Sequence, residues 1–303
     1  MTTTPGHWSF TRWTTVGQLE AIEVHHPLFR ARLFLQGAHL TRFAPNGEAN
    51  WLWVSDAAHY ETGRAIRGGI PVCWPWFGEP TRNPPEVRRR IRTETAHGFA
   101  RTAVWQLEDV RESAHDVEIN LSLDANQDFN EVWQGHARAL LTFRFSSLGC
   151  QLALTTVNAG PDILAFTQAL HSYFPTQDIT TTEIQGLEGI SFLDTLDDWR
   201  PKLQKGPVRF FGETDRIYEA GQPLLAINAQ SSRARSSARS LSCSGSDSTV
   251  IWNPGPAKAK TLSDFPDAAW REMFCVETAN AGNDYQVLDT GQSHTLAMML
   301  RHG

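Results

Sequence analysis

The sequence predicts an all-β protein, a largely antiparallel sandwich or barrel, on three observations. Apolar residues recur with period 2 along much of the chain, turn signals divide these runs into short segments, and almost nothing carries an i, i+3, i+4 apolar stripe. Many short strands without intervening helices pair as antiparallel neighbours around a shared core. The one modest helical candidate, around Asp267 to Arg271, is short.

The elements follow in order. Phe29, Ala31, Leu33 and Leu35 alternate with Arg30, Arg32 and Phe34, which marks a half-buried strand, and Pro45-Asn46-Gly47 turns the chain. Trp51-Leu52-Trp53 resumes it, and Val104 to Leu107 forms the next segment. The cleanest alternation is Val117, Ile119, Leu121 and Leu123 against Glu118, Asn120, Ser122 and Asp124, a strand with one wet face. Ala137, Ala139, Leu141, Phe143 and Phe145 repeat the pattern, the chain turns near Leu148-Gly149 into Leu152 and Leu154, and Asn158-Ala159-Gly160-Pro161 is the next turn. Short strand candidates continue through Phe210, Ile217, Leu225, Leu241 and Val250 to a final run from Thr295 to Leu300. Ser231 to Ser248, rich in Ser and Arg, sits between strand candidates and is read as an exposed hairpin.

No composition break suggests a linker, so residues 1–303 are expected to form one domain. The formal net charge of -6 argues against nonspecific binding to nucleic acid or to an anionic membrane, both of which call for a basic face. The stretch Met1 to Trp8 has neither the basic start nor the apolar run of a signal peptide, and no stretch approaches the length that spans a bilayer. Cys73, Cys150, Cys243 and Cys275 are scattered, with no Cys-x-x-Cys pair, and are read as small residues in a reducing compartment. The expectation is a cytoplasmic monomer acting on a small molecule, with no metal and no cofactor.

The most unusual stretch runs from Ile66 to Gly78, with one cation, three glycines, two prolines and three large aromatics. Gly68 and Gly69 permit backbone conformations closed to other residues, while Pro71 and Pro75 lack the donors a central strand needs. It is a shaped apolar loop carrying Arg67, and a guanidinium beside such a loop must find an anion or solvent. A second cation, Arg101, ends His97-Gly98-Phe99-Ala100-Arg101, and the two arginines suit a clamp on phosphate or carboxylate.

Three further segments can carry chemistry. In Gln168 to Phe174, strand alternation puts His171 on one face with Ala169 and Tyr173, so a small residue leaves room beside the imidazole. In Met273 to Thr278, Glu277 ends an apolar run, where burial raises a carboxyl pKa towards neutrality. In Thr214 to Tyr218, Asp215 either accepts from a polar ligand or pairs with Arg216.

Taken together, these motifs resemble the aldose 1-epimerase superfamily, and specifically its hexose-6-phosphate mutarotase (glucose-6-phosphate 1-epimerase) branch. The matching pieces are Arg67 to Pro71 with Trp74 to Gly78, His97 to Arg101, Leu170 to Phe174, Thr214 to Tyr218, Trp252-Asn253-Pro254-Gly255 and Cys275 to Thr278, in order and across nearly the whole chain. The resemblance implies a galactose-mutarotase-like fold, a large antiparallel β-sandwich with a sugar bound in a cleft on one sheet. It also implies His171 as general acid, Glu277 as general base, and His97 and Asp215 holding the sugar. Arg67 and Arg101 fall where that branch contacts the phosphate. One departure is Ala96, where the family often has a glutamine assisting at the anion; the preceding arginine-dense segment includes Arg88, Arg89, Arg90 and Arg92.

These residue types suit the reaction. Interconverting the anomers of an aldose requires a base for the anomeric hydroxyl and an acid for the ring oxygen, both with pKa values near neutrality. The aromatic loop, Trp76 in particular, would offer the sugar's C–H faces an apolar wall. A noncatalytic carbohydrate-binding domain of the same fold is the alternative, since fold does not dictate function. A glycoside hydrolase ranks last, because bond cleavage usually wants two suitably separated carboxylates.

Overall fold

The computed structural model describes residues 8–220, 224–229 and 238–303; Met1 to His7 and positions 231–237 of the Ser/Arg-rich segment lie outside the described residues. Among the described residues every ladder between strands is antiparallel. Two eight-stranded sheets dominate. One carries the long regular strands Asp116–Ala125, Ala137–Ser146, Gly149–Asn158 and Ser293–His302, where the clean alternations fall. The other is assembled from shorter strands far apart in sequence, in the order Arg200–Leu203, Ser191–Asp194, Thr214–Glu219, Ser248–Asn253, Met273–Asn280, Gln168–Leu170, Val72–Cys73, with Tyr173–Pro175 also pairing Met273–Asn280. A four-stranded sheet spans Thr11 to Pro45, and Leu164–Phe166 pairs with Gln286–Leu288.

The two large sheets pack face to face through one apolar core, as alternation demands. Phe274 and Val276 point into it with Leu141, Leu152, Leu154 and Met298 from the other sheet. Polar contacts stitch the layers: Trp74 Nε1 donates to Thr156 Oγ1 at 3.0 Å, Thr156 Oγ1 donates to Gln168 Oε1 at 3.2 Å, His294 Nε2 lies 3.1 Å from Asn280 Oδ1, and Ser172 Oγ lies 3.4 Å from Met298 Sδ. The strand Met273–Asn280 is buried throughout, because its second face is also covered: Cys275 joins one cluster with Tyr173 and Phe265, and Ala279 another with Cys73, Ala169, Ile217 and Val250. The cleft opens on this second face.

Several local expectations shift. Trp51 to Trp53 and Phe210 lie outside strands, and the segment at Val104 becomes a strand only from Gln106 to Glu112. The helical candidate is a single 3₁₀ turn, Ala269–Arg271, while short α-helices occupy Pro85–Arg88 and Gly255–Ala259. The exposed hairpin read at Ser231 to Ser248 is corrected in its described part. Ala238–Ser244 is an interior strand paired with Leu224–Asn228 on one side and Ser293–His302 on the other, and its Leu241 is in the core. Arg239 and Leu241, two residues apart, are its buried positions, and that alternation outweighs the polar composition there.

Candidate active site

Six of the seven residues singled out by sequence line one cavity of about 740 Å³: Arg67, His97, Arg101, His171, Asp215 and Glu277. Period 2 explains the convergence. Glu277 shares a face with Cys275 and Ala279, opposite the core-facing Val276, and its strand partner is Val250, also in the lining. One strand further, Asp215 pairs with Trp252, so both project into the same cleft. Ala169 and Cys73, paired across adjacent strands, are buried with Ile217 and Val250 in the small cluster beneath this face.

His171 does not sit on a continuous strand. The chain leaves the sheet after Leu170 and rejoins it at Tyr173, and in the gap His171 N–H donates to Pro71 C=O at 3.0 Å. The ring stacks on Tyr173 at 4.8 Å and 10°, with Trp252 edge-on at 6.0 Å. Its Nε2 lies 3.4 Å from Glu277 Oε1. Glu277 is 1% exposed and His171 8%, and Nδ1 of His171 and Oε2 of Glu277 are buried without a partner among the described residues. Such atoms carry a desolvation cost that a polar ligand can relieve.

Electrostatics set the resting state. Burial, with Arg67 and Arg101 nearby, pushes His171 down to about 3. Burial, with the Asp215 carboxylate beside it, pushes Glu277 well above the ordinary glutamate range, and burial lifts Asp215 to about 6. His97 is held well below its ordinary value by burial, Arg101 and His171. Its Nδ1 accepts from Gly78 N–H at 3.3 Å, which leaves Nε2–H as a donor.

The arginines are held differently. Arg67 Nε and Nη2 both lie 3.1 Å from Asp264 Oδ1, and Nη1 lies 3.3 Å from Tyr173 Oη. Burial opposes its charge, but Tyr173 and Asp264 keep its pKa above the ordinary arginine value. Arg101 Nη2 donates to Ala96 C=O at 2.9 Å, so the residue that lacks the glutamine side chain orients the guanidinium through its backbone. Arg101 is delivered by a tight turn in which His97 and Gly98 have φ of 66° and 67°. A Cβ on Gly98 would meet Trp74 O at 2.0 Å, so only glycine fits.

Trp76 is the exception among the seven. It is 1% exposed, in the main core against Phe99, with Nε1 donating to Thr95 C=O at 3.0 Å. Trp74 is likewise core, and of the three loop aromatics only Phe77 reaches the cavity. Burying a large ring outweighs presenting it to a ligand. Of Arg88, Arg89, Arg90 and Arg92, none lines the cavity: Arg90 donates to Gln134 C=O, and Arg92 to Arg89 C=O. Asp215 does not pair with Arg216, whose guanidinium lies 4.9 Å over the Phe192 ring.

Residues that sequence reasoning passed over also line the site, among them Arg82, Tyr173, Trp199, Lys258 and Asp264. Lys258 and Asp264 follow Trp252-Asn253-Pro254-Gly255 closely, so that motif was their available signal. Among the described residues, no group of three or more His, Cys, Asp or Glu side chains is gathered to hold a metal, and no helix is long and apolar enough to cross a membrane.

Comparison with known proteins identifies the family and the fold. Residues 20–301 match the family model described as Aldose 1-epimerase. A curated relative from Escherichia coli K12, named "Putative glucose-6-phosphate 1-epimerase", is 33% identical over 285 residues, covering 94% of this chain and 90% of the relative. The crystal structure of "a putative mutarotase (YeaD)" from Salmonella typhimurium superposes with a TM-score of 0.86 at 29% identity, over 98% of this chain and 95% of that one. A galactose mutarotase related enzyme from Lactobacillus acidophilus, 12% identical over 93% of this chain and 96% of its own, shares the fold with a TM-score of 0.69. The chain belongs to the aldose 1-epimerase family.

Proposed function

We propose that this protein is an isomerase, a hexose-6-phosphate mutarotase that interconverts the α and β anomers by opening and closing the sugar ring. The observation that carries the reading is the His171–Glu277 pair, 3.4 Å apart, in the same cavity as two guanidinium groups. Glu277 takes the proton of the anomeric hydroxyl while His171 protonates the ring oxygen, so the bond between C1 and that oxygen breaks. Rotation about C1–C2 and closure on the other carbonyl face complete the exchange, with acid and base roles reversed. His97, through Nε2–H, and Asp215 hold sugar hydroxyls, and Arg67 and Arg101 hold the 6-phosphate with charge-assisted hydrogen bonds.

Protonation fits this division of labour. A neutral imidazole with a protonated carboxyl, the state towards which burial drives the pair, and the working imidazolium with a carboxylate contain the same number of protons, so moving one proton between Glu277 and His171 converts one to the other. The two guanidiniums depress His171. A phosphate dianion between them offsets their charge and shifts the balance to the working pair. Substrate thereby charges its own acid. The four free thiols suit a cytoplasmic setting, and strands from the large and small sheets share one core, which supports a single unit over residues 1–303.

The test is exchange NMR between the anomers of glucose 6-phosphate. Wild type should accelerate exchange and Glu277→Gln should lose on the order of 10² to 10⁴ in rate. Unchanged exchange in that variant removes the assignment.

A further inference from the structure

The tip of the hairpin between Ser191–Asp194 and Arg200–Leu203 carries an unexplained tryptophan. Asp198 and Trp199 have φ of 51° and 59°, and Arg200 N–H donates to Asp197 C=O at 3.0 Å, the geometry of a tight turn with both central residues left-handed. Such turns favour Asn, Asp or Gly; a bulky side chain in this region is costly by about 1–2 kcal/mol. The turn chemistry alone would select glycine at 199. Something else holds an indole there.

Its surroundings say what. Trp199 is half-buried, lines the cavity and, like Phe77, packs against the small cluster behind it that contains Ile217 and Val250. Arg82, from the loop that follows Phe77 and itself in the lining, places its guanidinium 5.5 Å from the indole centroid. The other lining aromatics are engaged with site histidines. Tyr173 is stacked on His171, Trp252 stands edge-on to both, and Phe77 stands edge-on to His97 at 5.2 Å. Trp199 has no such partner among the described residues.

We infer that Trp199 is a substrate-contacting residue, the apolar wall of the sugar site, held over the cleft by its turn and by Arg82. This deepens the hexose-6-phosphate reading and rests on it. A pyranose presents C–H faces as well as hydroxyls, and an aromatic surface matches the first while His97 and Asp215 match the second. The role assigned by sequence to Trp76 thus passes to a tryptophan more than a hundred residues away.

Calorimetric titration with glucose 6-phosphate and with glucose, alongside thermal melts, tests this on wild type, Trp199→Phe, Trp199→Ala and Trp199→Gly. Losing the ring should weaken binding of both sugars roughly 3- to 10-fold, the loss of a favourable aromatic contact. Trp199→Phe should stay within about 2-fold of wild type, since a ring is retained. Trp199→Gly loses the same packing as Trp199→Ala but relieves the turn, so it should melt above Trp199→Ala while binding no more tightly. A Trp199→Gly protein with wild-type affinity overturns the inference while leaving the mutarotase reading intact, as does one that loses stability with affinity unchanged. Wild type that binds neither sugar overturns both.

Discussion

Arg101→Ala isolates the phosphate clamp most cleanly. Arg101 donates to the Ala96 carbonyl and forms no ion pair among the described residues, so truncating it strands no carboxylate. What it removes is one charge-assisted contact to the phosphate, worth about 1.5–3 kcal/mol. That corresponds to a rise in KM for glucose 6-phosphate of roughly 10- to 150-fold. Free glucose should be spared, and its turnover should hold, because removing a guanidinium that depresses His171 moves the imidazole towards its working state. Arg67→Ala should show the same substrate split with an added stability loss. Asp264, 16% exposed at the side chain, and Tyr173 Oη both lose their donor, at a cost of about 1–3 kcal/mol. Exchange NMR against concentration of both sugars, with melts of both variants, reads all of this. Equal changes in KM for glucose and glucose 6-phosphate would refute the clamp and make the arginines structural.

Two further outcomes follow from the same geometry. Asp215→Asn should stabilise the protein at pH 8 by up to about 3 kcal/mol, the equivalent of a shift from 3.8 to about 6, because the raised folded pKa makes ionisation of Asp215 unfavourable to folding as pH climbs through that window. The gain should vanish below about pH 4, where the carboxyl is protonated in both states, and pH-resolved denaturant titrations show whether it does. Gly98→Ala should cost about 2 kcal/mol or more, since φ of 67° and a Cβ at 2.0 Å from Trp74 O force the turn to move, and it should cut activity by displacing His97 and Arg101; wild-type stability would contradict the close approach.

The strands that were legible in advance are those whose chemistry is local. Val117 to Leu123 and Ala137 to Phe145 alternate because one side of each meets the core, and that period survives any tertiary arrangement. The site residues were legible for a different reason: Arg67, His97, Arg101, His171, Asp215 and Glu277 stand in short motifs that together, in order along the chain, resemble those of one family. Trp76 was misread because an aromatic beside proline and glycine looks the same from the sequence whether it faces a ligand or a core.

By itself, then, the sequence determined the antiparallel all-β class and the alternating faces of its long strands, since both follow from side-chain chemistry at fixed local spacing, while the resemblance of its motifs to one family pointed to the six polar residues of the cleft. The tertiary structure decided which face of Met273–Asn280 became the cleft, and that Asp264, 197 positions from Arg67, became its counterion. It also decided that Trp199 and Phe77 line the cavity while Trp76 stays in the core. Burial and long-range charge are properties of the packed chain: His171 and Glu277 acquire their shifted pKa values only when the sheet brings Arg67, Arg101 and Asp215 around them and excludes water.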